Sequence, residues 1–333
     1  MDAVRSLIEA GLSVWLDPDA RAGDAADDLV SWVAERRIGG VGPTLPPARL
    51  GVADARALSA FADADPLQSH ALARSARLAE RLADLLADVH AAGRGSDGLV
   101  QFPAPETWHD PSALVALADT LTALTRAANL VIGLPYAQAG LAAARQLVFR
   151  GVSVALGPVF TPGEYAAADH AYRRGLEQRL AAGRSLSGVV SLVWTPVGAI
   201  DEYATGLLGA RTTEPLGGLG ATIAQLIYLK SFRAFASPSW TRLRAAGAER
   251  PRPAFCDLPP RHAEAIERLT LPGSVIALGR RTIATFDESG WPPLAEPDET
   301  EVDWTVRQAA RLGFSTTAVR QALRPGRGAR SPT

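Results

Sequence analysis

Short apolar runs alternate with segments of helical period along almost the whole chain. The runs are residues 12–16, a brief one at Val41, then 98–102, 129–137, 152–156, 189–194, 254–256 and 275–278. Each is too short for an ordinary helix and rich in Val, Ile, Leu or aromatic residues, the pattern of a strand buried on both faces. Between them lie amphipathic stretches with helix punctuation. Asp24 stands as an N-cap before Leu29, Val30 and Val33, and two further stretches fill 47–63 and 67–92. Asp110-Pro111 and Thr161-Pro162 each pair a capping side chain with proline at the first helical position. Helices are also predicted over 138–150 and 221–246, from Pro259-Pro260 onward and after Gly279, while the Gly- and Thr-rich residues 205–220 read as loop.

Eight strands alternating with helices predict an α/β fold of the (β/α)8 TIM-barrel kind. Helical spacing in residues 3–10 adds an extra helix before the first strand. Residues 299–324, with Trp304, Val306, Ala310, Leu312 and Val319 available for packing, form a helical extension after the last strand. The barrel domain then takes residues 1–323, and 324–333, without a core-forming pattern, is expected to be a disordered tail. A doubly wound sheet is the structural rival. It needs a Gly-rich phosphate turn that opens a helix, and Gly39-Gly40-Val41-Gly42 precedes no helix start.

Composition narrows the partners. The chain has 333 residues, 47% hydrophobic and 21% charged, enough for a sizeable core. A net charge of -1, from 34 basic and 35 acidic residues, gives no electrostatic reason to expect nucleic acid or a membrane surface. With no signal-like start and no long uncharged apolar run, the expected location is cytoplasmic and the expected partner a small-molecule ligand; homo-oligomerisation stays open. Cys256 is the sole cysteine, which excludes an intrachain disulfide and a multi-cysteine metal site, and no His/Asp/Glu spacing marks a metal centre. No metal or other cofactor is expected. Lys230 is the only lysine, and it lies in a helical pattern away from any strand end.

Gly11-Leu12-Ser13-Val14-Trp15-Leu16-Asp17 resembles the first strand of bacterial transaldolases, class I aldolase barrels with a preliminary helix. In order there follow Gly40-Val41, Trp108-His109-Asp110, Asn129-Leu130-Val131-Ile132 with Pro135, Gly140-Leu141, Gly151-Val152-Ser153-Val154, Phe160, Tyr165 and the run from Tyr172 to Leu180. The resemblance spans about residues 5–290. It implies a strand-four lysine that forms a Schiff base with a ketose, and at that position this chain has Gly133. A glycine has no nucleophile, so the covalent step is lost there. Other working positions of the family differ as well. Gly42-Pro43-Thr44-Leu45-Pro46 replaces a Thr/Ser/Asn-rich run, Pro103 a proton-transferring glutamate, Ala155 an asparagine, Trp194 and Ala199 a phosphate-holding Ser and Arg, and Asp257 a phosphate-binding serine. Asp257 repels a phosphate unless Arg261 screens it.

Asp17 alone keeps its family identity, and a carboxylate at a strand's C-terminal end can serve as general acid or base without a lysine. It is the expected catalytic residue. Gln101, Tyr136, Trp194, Thr195, Asp257 and Arg261 are the expected ligand-binding residues, with Thr44, Phe102 and Gln138 also at the mouth. This set is more aromatic than a sugar-phosphate site and suits a relatively apolar small molecule. His109, beside the cap Asp110, and the buried-strand Cys256 read as structural; Glu106, Asp201 and Glu202 read as solvated acids, and His262 as a minor site candidate. The expected function is a repurposed barrel enzyme of specialised metabolism that performs lysine-independent acid–base chemistry. The alternative is a catalytically inactive pseudoenzyme acting as a binding or scaffold subunit.

Overall fold

The computed structural model describes residues 7–18, 26–35, 38–43, 66–105, 108–208 and 218–322. Within them the apolar runs become parallel strands: β1 Ser13–Leu16, β2 Gly40–Val41, β3 Leu99–Pro103, β4 Leu130–Pro135, β5 Ser153–Gly157, β6 Ser191–Pro196, β7 Arg252–Cys256 and β8 Val275–Leu278. They pair in sequence order and β8 closes on β1, giving the (β/α)8 barrel. Residues 7–9 are helical ahead of β1, in agreement with the extra N-terminal helix.

The helices are α1 Ala26–Ala34, α2 Pro66–Leu85, α3 Ala87–Ala92, α4 Pro111–Thr125, α5 Gln138–Arg150, α6 Pro162–Ala181, α7 Val197–Leu208, α8 Leu219–Ala236, α9 Pro238–Ala245, α10 Ala263–Arg268, α11 Arg280–Ser289, α12 Glu299–Arg311 and α13 Thr316–Ala322. A 3-10 turn at Pro260–His262 leads into α10. Two predicted starts form as the chemistry requires. The Asp110 carboxylate accepts from the Ser112 N–H, and the Thr161 hydroxyl accepts from the Glu164 N–H, with Pro111 and Pro162 next in line.

Strand alternation sorts the core into two shells. Val14, Leu16, Val100, Ile132, Leu134, Val154, Leu156, Val193, Phe255, Ile276 and Leu278 point outward into the layer shared with the helices. Trp15, Leu99, Val131, Ala155, Leu192, Trp194, Ala254, Cys256, Val275 and Ala277 point into the barrel. Asn129, just before β4, donates from Nδ2 to the carbonyls of Ala83 (2.9 Å) and Gly98 (2.7 Å), which fixes the start of β4 to α2 and to the start of β3.

The structure differs from expectation in four places. Residues 197–208 form α7, so the loop predicted over 205–220 starts too early; Val197, Ile200 and Ala204 bury one face despite the glycines around them. The helix predicted over 221–246 breaks at Ser237-Pro238, because proline lacks the N–H that continuation needs. The helix predicted over 67–92 divides at Leu86 into α2 and α3. β6 runs to Pro196 rather than stopping at Trp194. The predicted helix over 47–63, the Asp24 cap and the 324–333 tail lie outside the described residues. Among the described residues no helix is long and apolar enough to cross a membrane.

Candidate functional site

The C-terminal ends of the strands, where barrel proteins carry their chemistry, surround an occupied centre. Register sets Gly133 on β4 between Pro103 on β3 and Ala155 on β5. Gln101, two residues earlier on β3, fills the space beside it: a Cβ on Gly133 would stand 2.8 Å from the Gln101 Nε2. The Gln101 amide is held from both ends. Its Oε1 accepts the Trp194 indole N–H at 2.7 Å, and its Nε2 donates to the Pro43 carbonyl at 3.4 Å. Trp194 meets Trp15 edge to face, with ring centroids 5.8 Å apart. Trp15 is fully buried, and Trp194 and Gln101 are each only 4% exposed. Two residues expected to line a ligand therefore come together, but they bind each other.

Thr195 requires a correction. It is 0% exposed and lies on the outward face of β6 with Val193, opposite Trp194, and its hydroxyl has no hydrogen-bond partner among the described residues. A step of one residue along a strand reverses the face, so Thr195, expected just past the end of the strand, instead lies within β6 on the face opposite Trp194. Phe102, next to the inward-facing Gln101 on β3, points outward by the same alternation.

The β1–β7 side of the mouth is acidic. Asp17, partly buried, donates its backbone N–H to the Leu278 carbonyl at 2.9 Å. Burial pushes the Cys256 thiol well above its ordinary range, and the carboxylates of Asp17 and Asp257 push it the same way, so the sulfur is held as the neutral, inert thiol. Asp257 is exposed and adopts a left-handed backbone, φ +60°. Its carbonyl accepts the Gly198 N–H at 3.0 Å. The Asp257 Oδ2 and the His262 Cε1 each lie 3.0 Å from where a Gly198 Cβ would stand. His262 Nδ1 is buried with no hydrogen-bond partner among the described residues. The Arg261 guanidinium pairs with Glu202 on α7, both well exposed. Asp201 on α7 accepts the Gly220 N–H at 2.7 Å, and burial raises its carboxyl pKa.

On the opposite side Tyr136 packs against the C-terminal extension. The Arg320 guanidinium on α13 lies over the Tyr136 ring (4.7 Å) and the Phe160 ring (5.1 Å), pairs with Glu164 (2.7 Å) and donates to the Pro158 carbonyl (3.0 Å). Burial raises the Tyr136 phenol, with the Glu164 charge acting in the same direction. Arg320 is a mouth residue that the sequence reading missed, since nothing local marks it.

At the N-terminal end a buried ion pair, also missed, closes the barrel. Arg252 Nη1 donates to Asp97 Oδ1 (3.1 Å) and to the Ser96 carbonyl (2.7 Å), and Nη2 donates to the Ser274 carbonyl (3.1 Å). The Ser13 hydroxyl also donates to Asp97, and the Trp15 indole N–H donates to Ser13 Oγ at 3.1 Å. Among the described residues no group of three or more His, Cys, Asp or Glu is placed to hold a metal ion. Lys230 is exposed on α8, in the outer helical layer. Thr44 and Glu106 lie outside the described residues.

Comparison with known proteins finds several similar chains. The transaldolase of Thermobifida fusca is 30% identical over 308 residues, covering 86% of this chain and 82% of that protein. A transaldolase from a Parafrankia strain is 29% identical over 336 residues, covering 95% and 90%. Transaldolase 1 of Streptomyces avermitilis is 29% identical over 309 residues, covering 86% and 80%. No family model matches the chain.

Proposed function

The chain belongs to the transaldolase family, and we propose that it is a non-transaldolase member whose closed barrel serves as a binding or scaffold subunit rather than as a Schiff-base enzyme. The observation that carries this reading is the buried Trp194–Gln101–Trp15 assembly at the barrel centre. It fills the volume beside Gly133, the position that the family resemblance assigns to the imine-forming lysine. The sole lysine, Lys230, supports the same reading, because it is exposed on α8 and not inside the barrel. Imine formation needs an amine next to the substrate carbonyl, and the barrel interior supplies none.

Incubation with a six-carbon ketose phosphate and borohydride, followed by intact mass spectrometry, tests this directly. No adduct is expected. A stoichiometric adduct that maps to the chain overturns the reading.

A second reading keeps acid–base chemistry at the rim, and one observation favours it: Asp17 and Asp257 both act on Cys256, so two carboxylates share one edge of the mouth. Asp17 is then the proton carrier for a relatively apolar substrate bound above the closed centre. A metabolite consumed by the native protein but not by a folded Asp17→Asn variant selects this reading over the first.

A further inference from the structure

Two indoles fit within this barrel because glycines leave room for them. Gly40, Gly42, Gly133 and Gly157 stand on or just beyond β2, β4 and β5. A Cβ on Gly40 would lie 2.4 Å from Cε2 of Trp15, and one on Gly157 would lie 2.9 Å from Cβ of Trp194. A Cβ on Gly42 would lie 2.8 Å from Cβ of Gln101, and one on Gly133 2.8 Å from its Nε2. Packed atoms do not approach so closely, so a side chain at any of these positions displaces the assembly or is displaced by it.

We infer that the centre of the barrel is a socket for a planar bicyclic heteroaromatic carrying one N–H donor, and that its resident occupant is the chain's own Trp194 side chain. The edge-to-face partner is Trp15, for whose ring Gly40 leaves room, and the donor is received by Gln101 Oε1, whose side chain stands where Gly42 and Gly133 leave space and whose amide is held in orientation by the Pro43 carbonyl. The socket is buried and built from two uncharged aromatic rings and one amide, which suits an indole and not a phosphate. This inference rests on the reading that no substrate enters the barrel centre of the native chain.

Indole is the probe, and Trp194→Ala the variant. Truncating an enclosed indole leaves an apolar cavity that neighbouring groups fill only in part, and such cavities take up aromatic molecules. Trp194→Ala is expected to melt below the native protein, and indole is expected to raise its Tm saturably, by roughly 2–4 °C, while leaving the native protein unchanged. Benzothiophene, of nearly the same shape but without the donor, is expected to bind about 3- to 10-fold more weakly. That preference is expected to vanish in Trp194→Ala/Gln101→Leu. A folded Trp194→Ala that takes up no indole, or binds the two probes equally, overturns the inference. If Trp194→Ala does not fold alone, refolding in the presence of indole is expected to recover the native circular dichroism, and no recovery overturns it equally. A borohydride adduct in the native protein defeats the proposed function without altering these cavity measurements, so the two failures are distinguishable.

Discussion

The two ends of the barrel interior are closed by opposite means. At the N-terminal end a guanidinium and a carboxylate, Arg252 and Asp97, are buried together with their hydrogen bonds satisfied by Ser13, Ser96 and Ser274. At the C-terminal end the closure is neutral: two indoles and one amide. The charged closure is intolerant of losing one partner, because the survivor is left as an unpaired buried charge. The neutral closure loses volume and one hydrogen bond, which another molecule of the right shape can replace. In a barrel whose C-terminal face ordinarily carries function, the exchangeable closure stands at the functional end.

The largest effect is expected at the charged end. Arg252→Ala strands Asp97, whose side chain is only 14% exposed, and is expected to cost about 3–5 kcal/mol in chemical denaturation. Replacing both partners, Asp97→Leu with Arg252→Met, is expected to recover most of that loss. A single variant within about 1 kcal/mol of native stability breaks the contrast between the two ends.

A buried carboxylate without such a partner sharpens it. Asp169 on α6 is pushed up to about 6, first by burial, against the opposing field of Arg173 and the Trp240 indole N–H that it accepts at 3.2 Å. Its folded-state pKa is raised, so the stability it contributes is complete below about pH 4 and is lost as pH rises through about 6. Asp169→Asn keeps an acceptor for Trp240 and removes the charge. It is expected to exceed native stability by about 2 kcal/mol at pH 7.5 and to match it at pH 4. Denaturation at the two pH values checks this, and equal differences at both would remove Asp169 as the cause.

The fold was legible because the strands of an all-parallel barrel are covered on both faces and read as short continuous apolar runs. Caps at Asp110 and Thr161 were legible because they act within four residues. The site was not, for two physical reasons. Facing depends on strand parity, so reading β6 to end at Trp194 rather than Pro196 put Thr195 at the mouth when it points outward. The contacts that decide the site are also distant in sequence: Trp194 and Gln101 are separated by 93 positions, Arg252 and Asp97 by 155, and Arg320 and Glu164 by 156. No local pattern announces such a pairing. Gly133 illustrates both lessons, since its identity removes the nucleophile but its neighbour Gln101 explains why no side chain stands there.

At the neutral end the expected costs are smaller. Trp194→Phe keeps an aromatic ring against Trp15 but leaves Gln101 Oε1 without its donor, at a cost of about 1–2 kcal/mol. Adding Gln101→Leu to it is expected to return part of that loss, because the buried carbonyl is then gone as well. A double-mutant cycle by denaturation gives the coupling, and a coupling near zero would mean that the indole is held by packing alone.

The smallest effect separates the closed centre from the open rim. Arg261 pairs with Glu202 where both side chains are more than half exposed, 60% and 66%, so solvent screens the pair and ordering two long side chains offsets its attraction. Arg261→Ala is expected to change stability by less than about 0.5 kcal/mol, and Glu202→Gln by no more. Denaturation of Arg261→Ala at low and high salt checks this: a loss above about 1.5 kcal/mol that persists at high salt would show that Arg261 holds the β7 loop in place, making the rim as structurally committed as the centre.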